Sequence, residues 1–306
     1  MEETLPAEIA KIKLKNPTML AAGILGMTAK SLLRVARAGA GAIVTKSVGL
    51  NPRAGYPNPT IVQVKCGLIN AIGLPNPGIR IFTEEIEEYK TVEDNVPLIV
   101  SVYGFSPEEF AEVASLAVKA GADAVELNVS CPHVEKTGME IGQDPEMLHE
   151  IVRKVKNKIK KPVIVKLTPN VSDITIYAEK AERAGADAIT AINTVKAMKI
   201  DIKTAKPVLA NKFGGLSGPA IKPIAVRCVY EIFEIVKIPV IGCGGISNWK
   251  DALEFIMAGA SAIQIGTAIA FRDIGIFKNI TKGIKLYMEK KGYRSIKEIV
   301  GQAHKK

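Results

Sequence analysis

Apolar residues along this chain gather in short unbroken runs instead of alternating with polar ones. Eight such runs stand out: Thr18–Gly23, Ala42–Val48, Leu98–Tyr103, Ala124–Ser130, Val163–Thr168, Ala188–Thr194, Val240–Gly244 and Ala262–Ala268. A short apolar run without alternation reads as a strand buried on both faces, the mark of a parallel sheet. Stretches with helical spacing separate the runs, for example Pro107–Ala120 behind a Ser106 N-cap and Trp249–Ala258 behind Ser247 or Asn248. One phrase recurs where a helix hands over to a strand: Ala38-Gly39-Ala40, Ala120-Gly121-Ala122, Ala184-Gly185-Ala186 and Ala258-Gly259-Ala260. The glycine supplies the left-handed turn that ends a helix, and its small neighbours let helix and strand pack closely.

Eight β/α units over about 290 residues predict an α/β fold, a closed (β/α)8 TIM barrel, with an open doubly wound sheet as the alternative. No segment of biased composition interrupts the series, so residues 1–306 read as one domain. Two segments exceed the minimal unit. Leu50 to Arg80, rich in Pro, Gly and Asn, follows strand two, and Lys196 to Gly218 follows strand six. Both leave the C-terminal ends of strands, the face on which barrel active sites are built.

Composition narrows the class. The 306 residues are 47% hydrophobic and 24% charged, enough for a large core. The net charge of +10 invites a nucleic-acid or membrane reading, but the densest basic run, Arg153 to Lys161, has no aromatic residue on which bases could stack. It reads as a solvated helix face. Four dispersed cysteines without a C-x-x-C pair argue against a zinc ribbon, an iron–sulfur cluster within the chain and a disulfide scaffold. The start, MEETLPAEIAKIKLKN, lacks the apolar core of a signal peptide, and no run of about 18 uncharged apolar residues suggests a membrane span. The expected location is the cytoplasm.

Polar residues cluster at strand C-termini, where a packed core does not need them. Strand two ends in Thr45-Lys46-Ser47, strand four in Asn128-Val129-Ser130-Cys131, strand five carries Lys166, and strand six ends in Asn193-Thr194. The last two turns, Gly242-Cys243-Gly244-Gly245-Ile246-Ser247 and Gly266-Thr267, are built for close backbone approach to a phosphate. Neither meets the G-x-G-x-x-G dinucleotide pattern. Cys131, ahead of Pro132 and His133, sits where an acid–base or nucleophilic thiol would act, and Cys66 could line the same site. Cys228 reads as core, and His149 and His304 as surface. No metal-ligand spacing and no Ser-His-Asp arrangement is legible.

The ordered motifs NVSCP (128–132), IGQDPEML (141–148), VKLTPNVSDI (165–174), INT (192–194), LSGPAI (216–221), IGCGGI (241–246), IGTA (265–268) and NAIGLPNPG (70–78) resemble the dihydroorotate dehydrogenases of pyrimidine synthesis. The resemblance runs from about Leu14 to about Ile299. Cys131 is similar to the base of the soluble class 1 enzymes, since the membrane-associated class has Ser there and an N-terminal helical extension. IGQDPE and the strand-two insertion are most similar to the 1B subtype.

The resemblance implies one FMN per chain, with its phosphate on Gly244, Gly245, Gly266 and Thr267 and with Gly218 nearby. Ala22, Thr45, Lys46, Ser101, Asn128 and Ile192 would contact the same cofactor. Lys166 would sit at the pyrimidine edge of the flavin, where a cation stabilises the reduced ring. Asn70, Asn128, Asn193 and Thr194 would hold dihydroorotate, Lys46 would lie between flavin and substrate, and Asn70, Ala71, Ile72, Gly73 and Leu74 would offer donors to the carboxylate. Cys131 would take the proton from carbon 5 while hydride leaves carbon 6. Three positions depart from the family pattern: Ala22 where Ser is usual, Ser101 where Asn is usual, and His133 where Asn often follows SCP.

A reduced flavin must be reoxidised, and this chain shows neither a dinucleotide fingerprint nor a cysteine cluster. The 1B resemblance implies a partner subunit carrying FAD and a 2Fe-2S cluster that passes electrons to NAD+, in a heterotetramer of two catalytic and two electron-transfer chains. A fumarate-using 1A-type homodimer is one alternative. Flavin enzymes acting on free dihydropyrimidines or on dihydrouridine in transfer RNA are others, although an appended Cys-rich segment and a helical RNA-binding domain respectively are not evident. A non-flavin phosphate-binding aldolase or isomerase is the last. Nucleic acid and membranes are not expected partners, and no metal is expected.

Overall fold

The computed structural model describes residues 5–129 and 143–305. Eight parallel strands close into a barrel in sequence order: β1 (Thr18–Leu20), β2 (Ala42–Val44), β3 (Leu98–Val102), β4 (Ala124–Asn128), β5 (Val163–Leu167), β6 (Ala188–Ala191), β7 (Val240–Cys243) and β8 (Ala260–Ile265). Each hydrogen-bonds to its chain neighbour, and β8 returns to β1 through Ile263, Gln264 and Ile265 against Thr18, Met19 and Leu20. The expected (β/α)8 architecture is the one present. Burial is complete in the middle of the runs, with every position of LIVSV in β3 and VIVKL in β5 buried.

The helices are α1 (Ala29–Arg37), α2 (Ile79–Val92), α3 (Pro107–Lys119), α4 (Pro145–Lys158), α5 (Ile174–Arg183), α6 (Lys222–Ile235), α7 (Trp249–Met257), α8 (Ala268–Arg272) and α9 (Ile276–Lys291). Their starts follow side-chain chemistry. Ser106 Oγ accepts from the Glu109 N–H, and Asp144 accepts from the N–H groups of Glu146 and Met147. Pro107 and Pro145 fill first-turn positions, where no donor is lost. Of the two candidates for the α7 cap, Asn248 is the one used. The recurring glycine takes the left-handed conformation it was expected to supply, with φ +101° at Gly39 and +111° at Gly121.

The aspartates that follow two of these glycines were not singled out from sequence. Asp123 Oδ2 accepts from the Leu98 N–H (2.8 Å) and Lys90 Nζ (3.2 Å). Asp187 Oδ2 accepts from the Val163 N–H (2.7 Å) and Lys156 Nζ (2.7 Å). Each carboxylate thereby fixes the start of the preceding strand. Lys154 reaches Glu108 at 2.6 Å, so two lysines of the basic run are paired with acidic neighbours.

Strand ends differ from expectation by a few residues. The run at 42–48 leaves the ladder after Val44, although Thr45, Ser47 and Val48 stay buried. The last strand begins at Ala260 rather than Ala262, and Ala268 opens α8. The larger difference lies in the two insertions. Ile61–Val64 and Gly67–Asn70 from the first form a hairpin, and Phe213–Ser217 and Val195–Met198 from the second join it in a four-stranded antiparallel sheet. Gly215 pairs with Asn70 and Leu216 with Ile69, so two segments read as separate loops make one wall above the barrel.

Candidate active site

A cavity of about 790 Å3 opens at the C-terminal end of the barrel, between the strand ends and the inserted sheet. It gathers most of the residues expected from sequence. Ala22, Lys46, Asn128, Lys166, Ile192, Gly218, Gly244, Gly245, Gly266 and Thr267 line it, as do Asn70 to Leu74, Asn193 and Thr194. Cys131, together with His133, lies outside the described residues.

Two expected cofactor contacts are not at the surface of the cavity. Thr45 and Ser101 are fully buried. The Ser101 N–H donates to Thr45 Oγ1 (3.0 Å), and Ser101 Oγ shares a hydrogen bond with Ser47 Oγ (2.8 Å). Ser47 in turn accepts from Asn128 Nδ2 (3.0 Å), and Asn128 Oδ1 accepts from Asn193 Nδ2 (3.2 Å). Ser101 thus links Thr45 to Ser47, and through Ser47 to the two amides that reach the cavity. Cys66 is exposed and away from the lining, and Cys228 is core. His304 is no free surface residue: its ring stacks on Tyr230 at 3.7 Å between centroids and bonds the Ala258 carbonyl.

One wall is a strip of backbone donors. The Ala71 N–H is already given to the Thr60 carbonyl (2.7 Å), which removes it from the expected donors. Among the described residues, the N–H groups of Ile72, Gly73 and Leu74 have no acceptor. Gly73 and Leu74 are both left-handed, with φ +79° and +55°. Successive N–H groups in such turns form an anion-binding concavity. The strip is held from behind by two residues that sequence reading did not pick out. Arg53 Nε donates to the Gly73 carbonyl (2.7 Å). Asn76 accepts from the Gly78 N–H (2.9 Å) and donates to the Leu74 carbonyl (2.8 Å) and Tyr103 OH (2.8 Å).

The opposite wall is made by the glycine turns. Gly245, at φ +77°, lies so close to the first residue of α6 that a Cβ would come 2.9 Å from the Lys222 nitrogen. No side chain caps the start of α6. A Cβ on Gly266 would meet only Ala21 Cβ, at 3.4 Å, so it would point into the cavity rather than into protein. Thr267 Oγ1 bonds Ser217 Oγ (2.7 Å) and ties this turn to the inserted sheet. A further unforeseen residue, Asn170, donates to Thr168 Oγ1 (2.9 Å) and the Thr194 carbonyl (3.0 Å) and accepts from the Lys196 N–H (2.8 Å). It joins the loops after β5 and β6.

Four cationic side chains line this space, Lys46, Arg53, Lys166 and Lys196, and the first and third lie deepest in the protein. Lys46 is half-buried, and burial pushes its ammonium below the ordinary lysine value. Lys166 is buried in β5, donates to Gln264 Oε1 (3.0 Å) and lies 3.6 Å from Glu126 Oε1. Burial disfavours its charge, but the Cys243 and Glu126 groups beside it hold its pKa above the ordinary value. Among the described residues, no cluster of three or more His, Cys, Asp or Glu side chains is placed to hold a metal ion, and no helix is long and apolar enough to cross a membrane.

A deep slot at the C-terminal mouth, with glycine turns on one side and amide, ammonium and backbone donors on the other, defines a barrel enzyme for an anionic, amide-rich ligand. The chain belongs to the dihydroorotate dehydrogenase family, whose model matches residues 4–288. It is 54% identical over 303 residues to the catalytic subunit of dihydroorotate dehydrogenase B (NAD(+)) of Pyrococcus abyssi, covering 98% of this chain and 99% of that one. Against the subunit of the same description from Methanosarcina mazei, identity is 54% over 294 residues, with 96% and 93% covered. For that of Methanothermobacter thermautotrophicus it is 53% over 302 residues, with 98% of each covered.

Proposed function

We propose that this chain is the catalytic subunit of an NAD+-type dihydroorotate dehydrogenase, oxidising dihydroorotate to orotate in pyrimidine synthesis. The observation that carries the reading is the pairing, across one cavity, of a donor strip suited to a carboxylate with a glycine cradle suited to a phosphate. The residues fit FMN on structural grounds. A Cβ on Gly266 would project into the cavity, meeting only Ala21 Cβ at 3.4 Å, and Gly245 packs its backbone against the start of α6, so both turns leave room for a phosphate to approach the main chain. Gly244, Gly245, Gly266 and Thr267 would hold the phosphate, and Lys166 would face the ring. Bound there, FMN would accept the hydride from carbon 6 of the substrate.

The chain's own groups do the rest. Ile72, Gly73 and Leu74 orient the substrate carboxylate, while Asn70, Asn128, Asn193 and Thr194 read its ring amides. Because Asn128 and Asn193 bond each other and Asn128 is anchored on Ser47, these amides are pre-set before substrate arrives. Cys131, just beyond Asn128 in sequence, removes the carbon 5 proton. The electrons leave through a second subunit carrying FAD and a 2Fe-2S cluster, in a heterotetramer of two chains of each kind. The word "subunit" in the relatives' descriptions and the lack of a dinucleotide fingerprint here support this arrangement.

Purified chain should be yellow and release FMN on denaturation. In stopped flow it should reduce its flavin once with dihydroorotate and then stall with NAD+ as sole oxidant, turnover returning when the second subunit is added. A colourless protein would sink the flavin reading. Rapid fumarate turnover by the chain alone would make it a 1A-type enzyme instead.

A further inference from the structure

Beneath the cavity floor the barrel interior holds a charge with no role in the reading above. Glu126, in β4, is fully buried, and its strand is otherwise apolar up to Asn128. Its Oε2 accepts from Gln264 Nε2 (2.5 Å) and Thr190 Oγ1 (2.9 Å). Its Oε1 makes no hydrogen bond among the described residues and faces Lys166 Nζ across 3.6 Å. Lys166, Gln264 and Cys243 line the cavity, whereas Glu126 and Thr190 do not. Three strands, β4, β6 and β8, thus present a carboxylate with two neutral donors directly below the ammonium of β5.

A buried ion pair of this kind is poor evidence for stability, because desolvation of both charges opposes their attraction. Its cost points to a task. We propose that Glu126 is a positioning residue that keeps Lys166 permanently protonated, so that the lysine presents a fixed charge to the flavin in both of its redox states. The inference rests on FMN occupying the cavity as proposed above.

Hydride arrival adds two electrons and one proton to the flavin and leaves one negative charge on the ring. With Lys166 already charged, no further proton is needed, and one proton accompanies two electrons. Without Glu126, Lys166 would lose the carboxylate that faces it, and burial, which disfavours the charged form, would pull its pKa down. It would then be neutral beside the oxidised ring and take a proton from solvent when the ring gains its charge. Two protons would accompany two electrons. The titratable groups facing Lys166 are Glu126 from β4 and Cys243 from β7. Thr190 and Gln264 do not titrate, and the other cations lining the cavity are Lys46, Arg53 and Lys196. Burial pushes the Cys243 thiol up, and the Lys166 ammonium beside it draws it back down.

The experiment is spectroscopic redox titration of the FMN-bound chain between pH 7 and 9. Wild type should show the pH slope of one proton per two electrons. Glu126→Gln should double it. The double variant Glu126→Gln/Lys166→Met, which removes both members of the pair and so spares the fold an unpaired charge, should return to one. A yellow, folded Glu126→Gln protein with the wild-type slope would overturn the inference and leave the carboxylate a structural group. A two-proton slope in wild type would overturn it equally, and needs no variant to fold. A chain that binds no FMN would instead fail the functional reading, and this inference with it.

Discussion

The two ends of the barrel use polar groups in opposite ways. At the N-terminal end, strand starts are fastened by side chains whose hydrogen bonds are made within the protein. Asn16 Oδ1 takes the Thr18 N–H (3.0 Å) while its Nδ2 donates to the Gly39 carbonyl (2.9 Å), and Asp123, Asp187 and Glu182 each take backbone N–H groups where strands β3, β5 and β7 begin or are about to begin. At the C-terminal end the same kinds of group are left open toward a cavity, as with Ile72, Gly73, Leu74 and Lys46. Burying a donor without an acceptor is costly, so donors left open at one end of an otherwise satisfied barrel mark where a ligand completes the structure. A polar residue at a strand start therefore reads as stability, and one at a strand end as function.

Substitutions at the two ends should separate cleanly. The largest effect is expected at the mouth: Cys131→Ala should slow flavin reduction by dihydroorotate by about 10²–10⁴, the usual cost of losing a general base, with FMN retained. Stopped-flow reduction measures it, and a wild-type rate would remove Cys131 from the mechanism. Gly266→Ala comes next. Overfilling a packed site costs about 1–3 kcal/mol, which is roughly fivefold to a hundred-and-fortyfold in FMN affinity. The melting temperature of the apoprotein should not move, because the added methyl meets only Ala21 at ordinary contact distance. At the other end the signs reverse. Asp187→Ala should lower unfolding free energy by about 1–2 kcal/mol by leaving the Val163 N–H without its acceptor, read by denaturant titration, with kcat unchanged. The smallest effect is reserved for the exposed pair: Lys154→Ala should change stability by less than about 0.5 kcal/mol and activity not at all. RNA binding that falls with it would revive the transfer-RNA alternative.

The barrel was legible because its signals are local. Doubly buried strands print unbroken apolar runs, and four of the helix-to-strand turns print Ala-Gly-Ala. Strand ends were overextended because residues such as Thr45 and Ser47 remain buried after leaving the ladder, and burial is what the pattern reports. The inserted sheet was missed for the opposite reason. Its hairpin, IVQV and GLIN, does alternate, but its other strands include FGGLS, whose glycines carry no pattern, and they pair with residues far away in sequence. In the site, Lys166 and the strand-end amides stood out as polar residues within apolar runs. Glu126 gave the same signal inside AVELNVS and was passed over, whereas Arg53, Asn76 and Asn170 act by joining loops and have no signature before those loops meet. Thr45 and Ser101 are fully buried beside each other, and strand register, which a sequence does not print, sets their partners: Thr45 takes the Ser101 N–H, and Ser101 Oγ bonds Ser47 Oγ.

The inserted sheet also sets an order of events. Asn70 bonds Gly215 across 145 residues of chain, so the wall of the mouth joins segments made far apart in time. Closing so long a loop is slow relative to local helix and turn formation. As the chain emerges from the ribosome, the hairpin Ile61–Asn70 waits with one edge bare until strand β6 and the segment beyond it have been made. The wall of the mouth is thus a late part to form, and the seam that pairs Ile263 with Thr18 and closes the barrel beneath it comes later still.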